Sequence, residues 1–598
     1  MSAAPGRPGT PASPPFAESF SDSRAEIGPR DTPVLPPSRR PRRAAFAPRK
    51  LPYLVVAAVL LWLVGYPLLI TFLEALGLGS SLTAGPDLSG FAEFAGRGDE
   101  WLAPWRTLWI SAASVVLSAL VGVPLGFVFE RTEFPGRRLL GGLVALPVAL
   151  PPLVGVIAFL FLYGESGFVS RAVEAALGLD GPPWSLQGAG AILLVHAYSM
   201  YVYFYLFTRA ALARLDAALL EAAASLGAGR WRSFRRVTLP LLRPALAGAA
   251  ILTFMTSLAS FSAPYIFGGG FRVMTTQIVF SKLNGDVLMA QVETVVLALV
   301  ALTGLVAMQW ADRAVSTRGA VRGVAPARAS VGGPAARAAA AAAGWTLAVV
   351  LLLPHATVVL ISFVPPGTWT REALPPVFSL GNYGRVFAGA EQLRPVLNSL
   401  WMALAATAAA VALGLATARG AVLHGGRLGR ALEGLIALPW AVPGTVFAVA
   451  LATTFSVSAP WAGRFVLIGT PLILPLAYLL RNLPLTGRAA LSGLGQLDPA
   501  LEEAAASLGA SRRRTLVRVV VPLVRPALAA GAALAFITAL GDFVVSIVLY
   551  TFDTRPISME IVAALRLQEL GVAGVYGVLL AAAGTAAFAL YGRGEAAR

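Results

Sequence analysis

The amino-acid sequence predicts an all-α integral membrane protein, twelve transmembrane helices in two parallel six-helix repeats, and three observations carry that expectation. The 598-residue chain is 57% apolar and only 13% charged, with mean hydropathy +0.72. That leaves too little polar surface for a soluble globule of this length. Apolar runs long enough to cross a bilayer recur along the chain. Between them one segment is written twice: residues 221–246 read EAAASLGAGRWRSFRRVTLPLLRPAL, residues 503–528 read EAAASLGASRRRTLVRVVVPLVRPAL, and 18 of 26 positions are identical without a gap. Glu221, Gly227, Pro240 and Arg243 recur as Glu503, Gly509, Pro522 and Arg525 at one spacing of 282 residues, the mark of an internal duplication.

Residues 1–50 are Pro-rich and end in SRRPRRAAFAPRK. Such a stretch buries too little apolar surface to fold alone, so a disordered cytoplasmic tail is expected. Arg39, Arg40, Arg42 and Arg43 resemble a twin-arginine signal, but the apolar run at 51–76 is too long for a signal core and no small-residue cleavage site follows. The arginines read instead as an anchor that holds the N-terminus inside.

A helix needs roughly 20 apolar residues to cross the hydrocarbon. By that measure the first half (51–314) holds spans near 51–76, 107–129, 139–164, 188–208, 244–267 and 291–311. The second half (341–595) holds spans near 341–364, 398–418, 431–455, 465–481, 526–550 and 571–592, the fourth short and carrying Pro471 and Pro475. Between the halves, residues 315–340 are rich in Gly, Ala and Arg with little apolar bulk, the composition of a cytoplasmic linker.

Charge orients the spans. The net charge of +17 comes from basic residues clustered in short loops, where positive charge keeps a loop in the cytoplasm; nucleic acid is not an expected partner. With the N-terminus inside, the cytoplasmic segments carry Arg137 and Arg138, Arg214 through Arg243, Arg313 to Arg337, Arg427 and Arg430, and Arg488 through Arg525. The loop between the first two spans carries Asp87, Glu93, Asp99 and Glu100 and falls outside. Six spans return the chain to the side where it began, so the repeats are parallel and both copies of the duplicated loop face the cytoplasm, as does the C-terminus.

Within each loop EAAASLG is a short helix former that a glycine can stop, and the basic residues 230–237 or 512–519 form a second short helix before the proline. The expected outcome is helix, sharp turn, helix, outside the membrane. Small alanines let the first helix enter a cleft of another protein, with Glu221 or Glu503 offering a fixed charge; alternatively the loop packs on its own bundle. A duplicated loop argues for a two-fold-related partner.

At these residues the chain resembles a known family. Glu-Ala-Ala, three residues, Gly, then Pro thirteen residues beyond is similar to the EAA loop of the inner-membrane permeases of binding-protein-dependent ABC importers. The resemblance covers roughly residues 51–595 and implies a MetI-like permease fold. It assigns Glu221, Ala222, Ala223 and Gly227, with Glu503, Ala504, Ala505 and Gly509, to contact with an ATP-binding cassette ATPase dimer. It implies a multi-pass protein of the bacterial cytoplasmic membrane, served by an extracytoplasmic solute-binding protein. Val237 and Val519 stand where isoleucine is frequent in the family, and Val521 where leucine is, which are mild apolar departures. Two permeases in one chain resemble the iron(III) group, and the same arrangement occurs in thiamine and phosphonate importers. LVALPVALPPLVGV, LIALPWAVPGTVFAV and LGDFVVSIVLYTFDTRPISMEI favour iron(III); thiamine, phosphonate and polyamine remain the alternatives.

Residues inside the spans suggest a pathway. Pro147 and Pro151 recur as Pro439 and Pro443. They either break the third helix of each half, exposing carbonyls to a pathway, or kink it for packing. Asp542 falls where the first half has Ser260, from FMTSLASF at 254–261 against FITALGDF at 536–543. An ionisable residue at that depth faces a hydrated route or a partner, unless it lies near the interface and caps a helix.

No catalytic role is expected. The only lysines, Lys50 and Lys282, follow Arg49 and Ser281, so no P-loop ending in Gly-Lys-Ser/Thr exists; ATP is expected on a separate subunit. Cys is absent, and His196, His355 and His424 are too scattered for zinc or haem spacing, so no bound metal or cofactor is expected. Parallel six-span halves also suit an ion-coupled secondary transporter, against which stand the scarcity of intramembrane carboxylates and the paired loops. A scaffold protein would not need the loop duplicated.

Overall fold

Apolar, Ala- and Leu-rich runs that cannot be hydrated satisfy their backbone internally as helices, and helices dominate the chain. The computed structural model describes residues 50–78, 85–149, 151–315, 328–330, 333–369, 372, 374–456 and 465–596. The N-terminal tail and residues 316–327 of the expected linker lie outside the described residues. The first repeat contributes α1 (Leu51–Ala75), α2 (Gly98–Arg131), α3 (Pro152–Tyr163), α4 (Gly188–Leu212), α5 (Ala217–Ser225), α6 (Leu239–Leu258) and α7 (Val287–Val315). The second contributes α8 (Pro334–Ser362), α9 (Ala390–His424), α10 (Gly426–Ala441), α11 (Gly444–Thr454), α12 (Ile473–Gly495), α13 (Pro499–Ser507), α14 (Val521–Leu540) and α15 (Leu570–Ala596).

Among the described residues ten helices are long and apolar enough to cross a membrane, and an eleventh span arises if a bent pair is joined. That pair is α10 and α11, which meet at 105°. The twelfth expected span is α12, 23 residues long but interrupted by Arg481 and Arg488, which lower its hydropathy. The third span of the first repeat also departs from the continuous 139–164 helix. Helix Arg137–Leu143 gives way to a 3-10 turn at Leu146–Ala149, and α3 starts only at Pro152. Prolines cause both breaks, since Pro151 and Pro443 precede α3 and α11 with extended ψ of 135° and 147° and no amide to donate.

Within each repeat the second and fourth spans touch through glycine. A Cβ on Gly122 would lie 2.3 Å from the Tyr201 carbonyl oxygen, and one on the matching Gly414 would lie 2.8 Å from Thr486 Oγ1. Close backbone approach of this kind is how membrane helices gain packing contact without a hydrophobic drive. The two repeats also share hydrogen bonds at matched places. Thr107 Oγ1 accepts from the Met274 amide at 2.9 Å, and Ser399 Oγ accepts from the Ile557 amide at 2.8 Å.

The repeats do not sit side by side as separate bundles. The first span of each packs on the third span of the other: α1 on α11 and α8 on α3. Trp62 of α1 meets Phe455 just past α11 edge-on at 5.8 Å, and Tyr198 of α4 donates to the Leu351 carbonyl of α8 at 2.7 Å. Each lobe is therefore built from both halves of the sequence, and the main buried cluster runs across the join, with Val154, Ile157 and Phe261 beside Val358, Phe447 and Phe543.

Candidate functional site

The duplicated segments fold into matching helix–turn–helix units, element for element. Asp216 caps α5 by accepting from the Ala218 amide at 3.0 Å, and Asp498 caps α13 by accepting from the Ala500 amide at 2.9 Å. Gly227 and Gly509 end these helices at φ +75° and +77°, the left-handed region that a side chain resists. A short helix follows in each, Arg230–Ser233 or Arg512–Thr515, then a wider π turn at Phe234–Thr238 or Leu516–Val520 that leads into α6 or α14. Glu221, Ala222, Glu503 and Ala504 are exposed, Ala505 is half-buried, and Ala223 is buried at 9% exposure.

Two features of these units are not evident in the sequence alone. Leu226 and Leu508 stand 87% and 89% exposed at the two turns, an apolar tip on each unit. Their identity across the repeats is a sequence signal for them. The anchoring of the units to the bundle also differs. Phe127 of α2 meets Phe234 edge-on at 5.6 Å, and Trp231 stacks on the same ring at 5.5 Å. At the matching place in α9, counted from RTLW at 106–109 against NSLW at 398–401, stands Arg419, which pairs with Glu502 of α13 through both terminal nitrogens at 3.1 and 2.9 Å.

The residues expected on a pathway converge at a second place. The fifth span of each repeat stops at the same position, after Leu258 and after Leu540, and the chain resumes in short helices Ser262–Phe267 and Ser546–Leu549. Ser260 and Asp542 sit in these breaks, with their backbone carbonyls satisfied alike: Thr275 donates to one and Ser558 to the other, both at 2.7 Å. From the loops this point is one 20-residue helix away, about 30 Å at 1.5 Å per residue.

The side chains in the breaks have partners. Asp542 is 5% exposed; Oδ1 accepts from the Val545 amide at 2.9 Å, and Oδ2 forms an ion pair with Arg481 of α12 at 2.8 Å. It therefore has both a charged partner and a capping role. In the first repeat, Ser260 Oγ lies 2.8 Å from His196 Nε2 of α4, whose Nδ1 lies 2.9 Å from Ser114 and 3.1 Å from Ser257. A fourth-span to fifth-span polar contact thus exists in both repeats, an ion pair in one and a histidine–serine contact in the other. Of the four expected prolines, Pro151 reaches this place: a Cβ on Gly541, next to Asp542, would lie 2.4 Å from Pro151 Cβ. Pro443 opens α11, whose first residue Gly444 lies against Arg481, with room for a Cβ only 2.5 Å from Nη1. Pro147 is buried in the 3-10 turn and Pro439 inside α10.

Arg481 escapes a reading of the sequence, because it falls at the edge of the expected 465–481 span and looks like a terminal charge. Glu293 escapes it too. It lies in α7 with no exposure and accepts from Ser281 at 2.9 Å, a second carboxylate inside a span. Among the described residues no group of three or more His, Asp or Glu could hold a metal ion.

Two interlocked lobes, a polar break in each at the join, and a matched pair of projecting helix–turn–helix units define a two-lobed membrane permease. Residues 122–318 and 410–593 match the model of the binding-protein-dependent transport system inner membrane component, and the chain belongs to that family. It is 32% identical to the probable ABC transporter permease protein y4fN of Sinorhizobium fredii (strain NBRC 101917 / NGR234) over 77% of this chain and 81% of that one. It is 29% identical to the ferric transport system permease protein FbpB of Actinobacillus pleuropneumoniae over 78% of this chain and 68% of that one. It is 30% identical to the thiamine transport system permease protein ThiP of Brucella abortus (strain 2308) over 45% of this chain and 48% of that one. The chain is accordingly a multi-pass permease of an ABC importer, in a family whose ATPase is a separate subunit.

Proposed function

We propose that this permease moves iron(III), delivered by an extracytoplasmic binding protein, through a pathway between its lobes. Both termini and both helix–turn–helix units would face the cytoplasm, where Glu221, Ala222, Ala223 and Gly227, with Glu503, Ala504, Ala505 and Gly509, meet an ATPase dimer. The chain would divide into a tail at 1–50, a first repeat at 51–314, a linker at 315–340 and a second repeat at 341–595, with α8 reaching back into the linker as far as Pro334. Closure of the ATPases on ATP would draw the units together and open the lobes outward; hydrolysis would reverse the motion. No cofactor or resident metal is needed in the chain, and the solute passes chemically unchanged. Ser260, Asp542 and the prolines at 147, 151, 439 and 443 would border the pathway.

One observation supports iron(III) over thiamine. Likeness to a ferric permease extends over 78% of this chain, across both repeats, whereas likeness to the thiamine permease extends over 45%. The test is ATP-dependent uptake of radioactive iron(III) by proteoliposomes holding the permease with its ATPase and binding protein. Uptake of iron(III) that excess thiamine, phosphonate and polyamine leave unchanged is the expected result. Uptake of one of those solutes instead, or uptake that follows an ion gradient and ignores ATP, overturns it.

A further inference from the structure

An open groove of about 510 Å³ runs between α1 and α10, where the first span of one repeat crosses onto the third span of the other. Ala57, Ala58 and Leu61 of α1 line one wall and Ala431, Gly434 and Leu438 of α10 the other, with no polar side chain in the lining. Small residues leave the space open. Matching positions of the other lobe, counted from Pro67 against Pro354 and Pro147 against Pro439, carry Trp345 for Ala58 and Leu139 for Ala431.

Helical spacing puts positive charge at one end of this groove. Lys50, Leu54, Ala58 and Leu61 fall on one stripe of α1, and Lys50 itself has helical φ and ψ of −69° and −28°. Arg427, Ala431, Gly434 and Leu438 fall on one stripe of α10, with Arg430 at its edge and Glu433 on another face. The two basic ends lie together, because Tyr53 of α1 meets His424 edge-on at 5.1 Å just before α10 begins. Lys50, Arg427 and Arg430 are exposed, and none of them pairs with a carboxylate among the described residues. At 1.5 Å per residue the groove spans roughly 10 to 16 Å from Lys50 along α1. The hydrocarbon of a bilayer is about 30 Å thick. The groove thus lies at the depth of the acyl chains of one leaflet, and the charges lie at the depth of its headgroups.

We propose that this groove holds an acyl chain of one anionic phospholipid, whose phosphate rests on Lys50, Arg427 and Arg430. The proposal goes beyond the importer reading and rests on it only for the side, the cytoplasmic leaflet. Apolar walls at hydrocarbon depth suit a lipid tail, which gains dispersion contacts with both helices. Unpaired cations at the mouth select an acidic headgroup, each contributing about fivefold to its attraction. A lipid seated there fills the space between α1 and α10 and braces the crossing that interlocks the lobes. In the other lobe the bulk of Trp345 and Leu139 stands where that space would be, so the chain carries the site once.

The test is native mass spectrometry of the full-length permease in detergent, titrated with phosphatidylglycerol or with phosphatidylcholine of the same chains. Phosphatidylglycerol should bind one tight site at least about tenfold more strongly than phosphatidylcholine. Lys50→Gln/Arg427→Gln/Arg430→Gln should abolish that preference while both lipids still bind weakly. Ala58→Trp/Ala431→Leu, which imports the side chains of the other lobe, should lose the tight site with the charges intact. Thermal unfolding gives a second reading: phosphatidylglycerol should raise the midpoint of wild type and leave that of the filled-groove variant unchanged. Size-exclusion profile establishes that each variant is folded, and Ala431→Leu alone serves if the double change does not fold. Equal affinity of wild type for the two lipids overturns the proposal, as does undiminished phosphatidylglycerol binding by a folded filled-groove variant. Loss of the preference on deletion of residues 1–47, with groove and basic residues intact, assigns the lipid to the tail and overturns it too. None of these measurements needs ATP or the natural solute; absent uptake with an intact lipid site counts against the importer reading alone.

Discussion

Arg419 and Glu502 join the second helix–turn–helix unit to its bundle by a two-point ion pair at 2.9 and 3.1 Å, and the first unit has no such bond. Its counterparts are Phe127, in place of Arg419, and Leu220, in place of Glu502. Arg419 is only 12% exposed, so the pair is shielded enough to matter. Hydrogen bonds to charged groups are worth about 1.5–3 kcal/mol. Arg419→Met should therefore speed amide hydrogen exchange in Pro499–Ser507 by roughly tenfold or more and leave Ala217–Ser225 unchanged. Arg419→Phe with Glu502→Leu, which imports the first repeat's choice, should recover much of the loss. Equal loosening of both units in Arg419→Met would contradict the assignment.

The glycine turns can be tested without a clash inside the permease. A Cβ on Gly227 or Gly509 would meet nothing of this chain within 4 Å, so any change that Gly227→Val or Gly509→Val makes to the unit's own conformation comes from φ. Each should misdirect its unit and lower the amount of ATPase that copurifies with the permease, with thermal stability of the membrane part preserved.

Charge reversal at the paired glutamates has a different signature. Removing one partner of a buried interfacial charge pair costs about 2–5 kcal/mol, so Glu221→Lys or Glu503→Lys alone should weaken ATPase retention. The double reversal should release the ATPase far more completely, because two linked contacts hold a single partner. The exposed tips predict the same pattern for Leu226→Asp and Leu508→Asp. Full retention and full uptake in the double glutamate reversal would exclude these units as the coupling elements.

At the break in the fifth span, removing one member of a buried ion pair is worse than removing both. Asp542→Leu or Arg481→Leu alone should destabilise the protein by about 3–5 kcal/mol, and Asp542→Leu/Arg481→Leu by less than either. Thermal unfolding in detergent reads the order. If Asp542 also borders the solute route, the double variant remains assembled with its ATPase yet transports poorly; restored transport would confine the pair to a structural role.

Close helix approach gives a prediction for the lobes. Gly122→Val would place a branched carbon where Tyr201 oxygen is 2.3 Å away, and the backbone of α4 cannot yield as a side chain can. The variant should fail to give a monodisperse protein, whereas Gly142→Val, whose Cβ meets nothing within 4 Å, should behave as wild type.

Much of this architecture is legible in the amino-acid sequence. Duplication and spans follow from a repeated segment and from the length of apolar runs, which are local along the chain, and the third-span breaks follow from prolines that remove an amide wherever they fall. What stays hidden depends on distance in sequence. Arg419 reaches Glu502, and Gly541 rests on Pro151, only after the fold brings them together, and no local pattern announces either. The exchange of first spans between lobes is hidden too, because every span boundary is the same whether α1 packs on its own third span or on the other's.

The matched breaks in the fifth spans carry a consequence for how such a chain changes over generations. Had the two halves been identical subunits, any substitution at their axis would arrive twice, facing itself, and an aspartate there would confront another aspartate. Joined in one polypeptide, the halves mutate singly. Asp542 in the place of Ser260, and Arg481 without a cationic twin, are pairings that two identical subunits could not form.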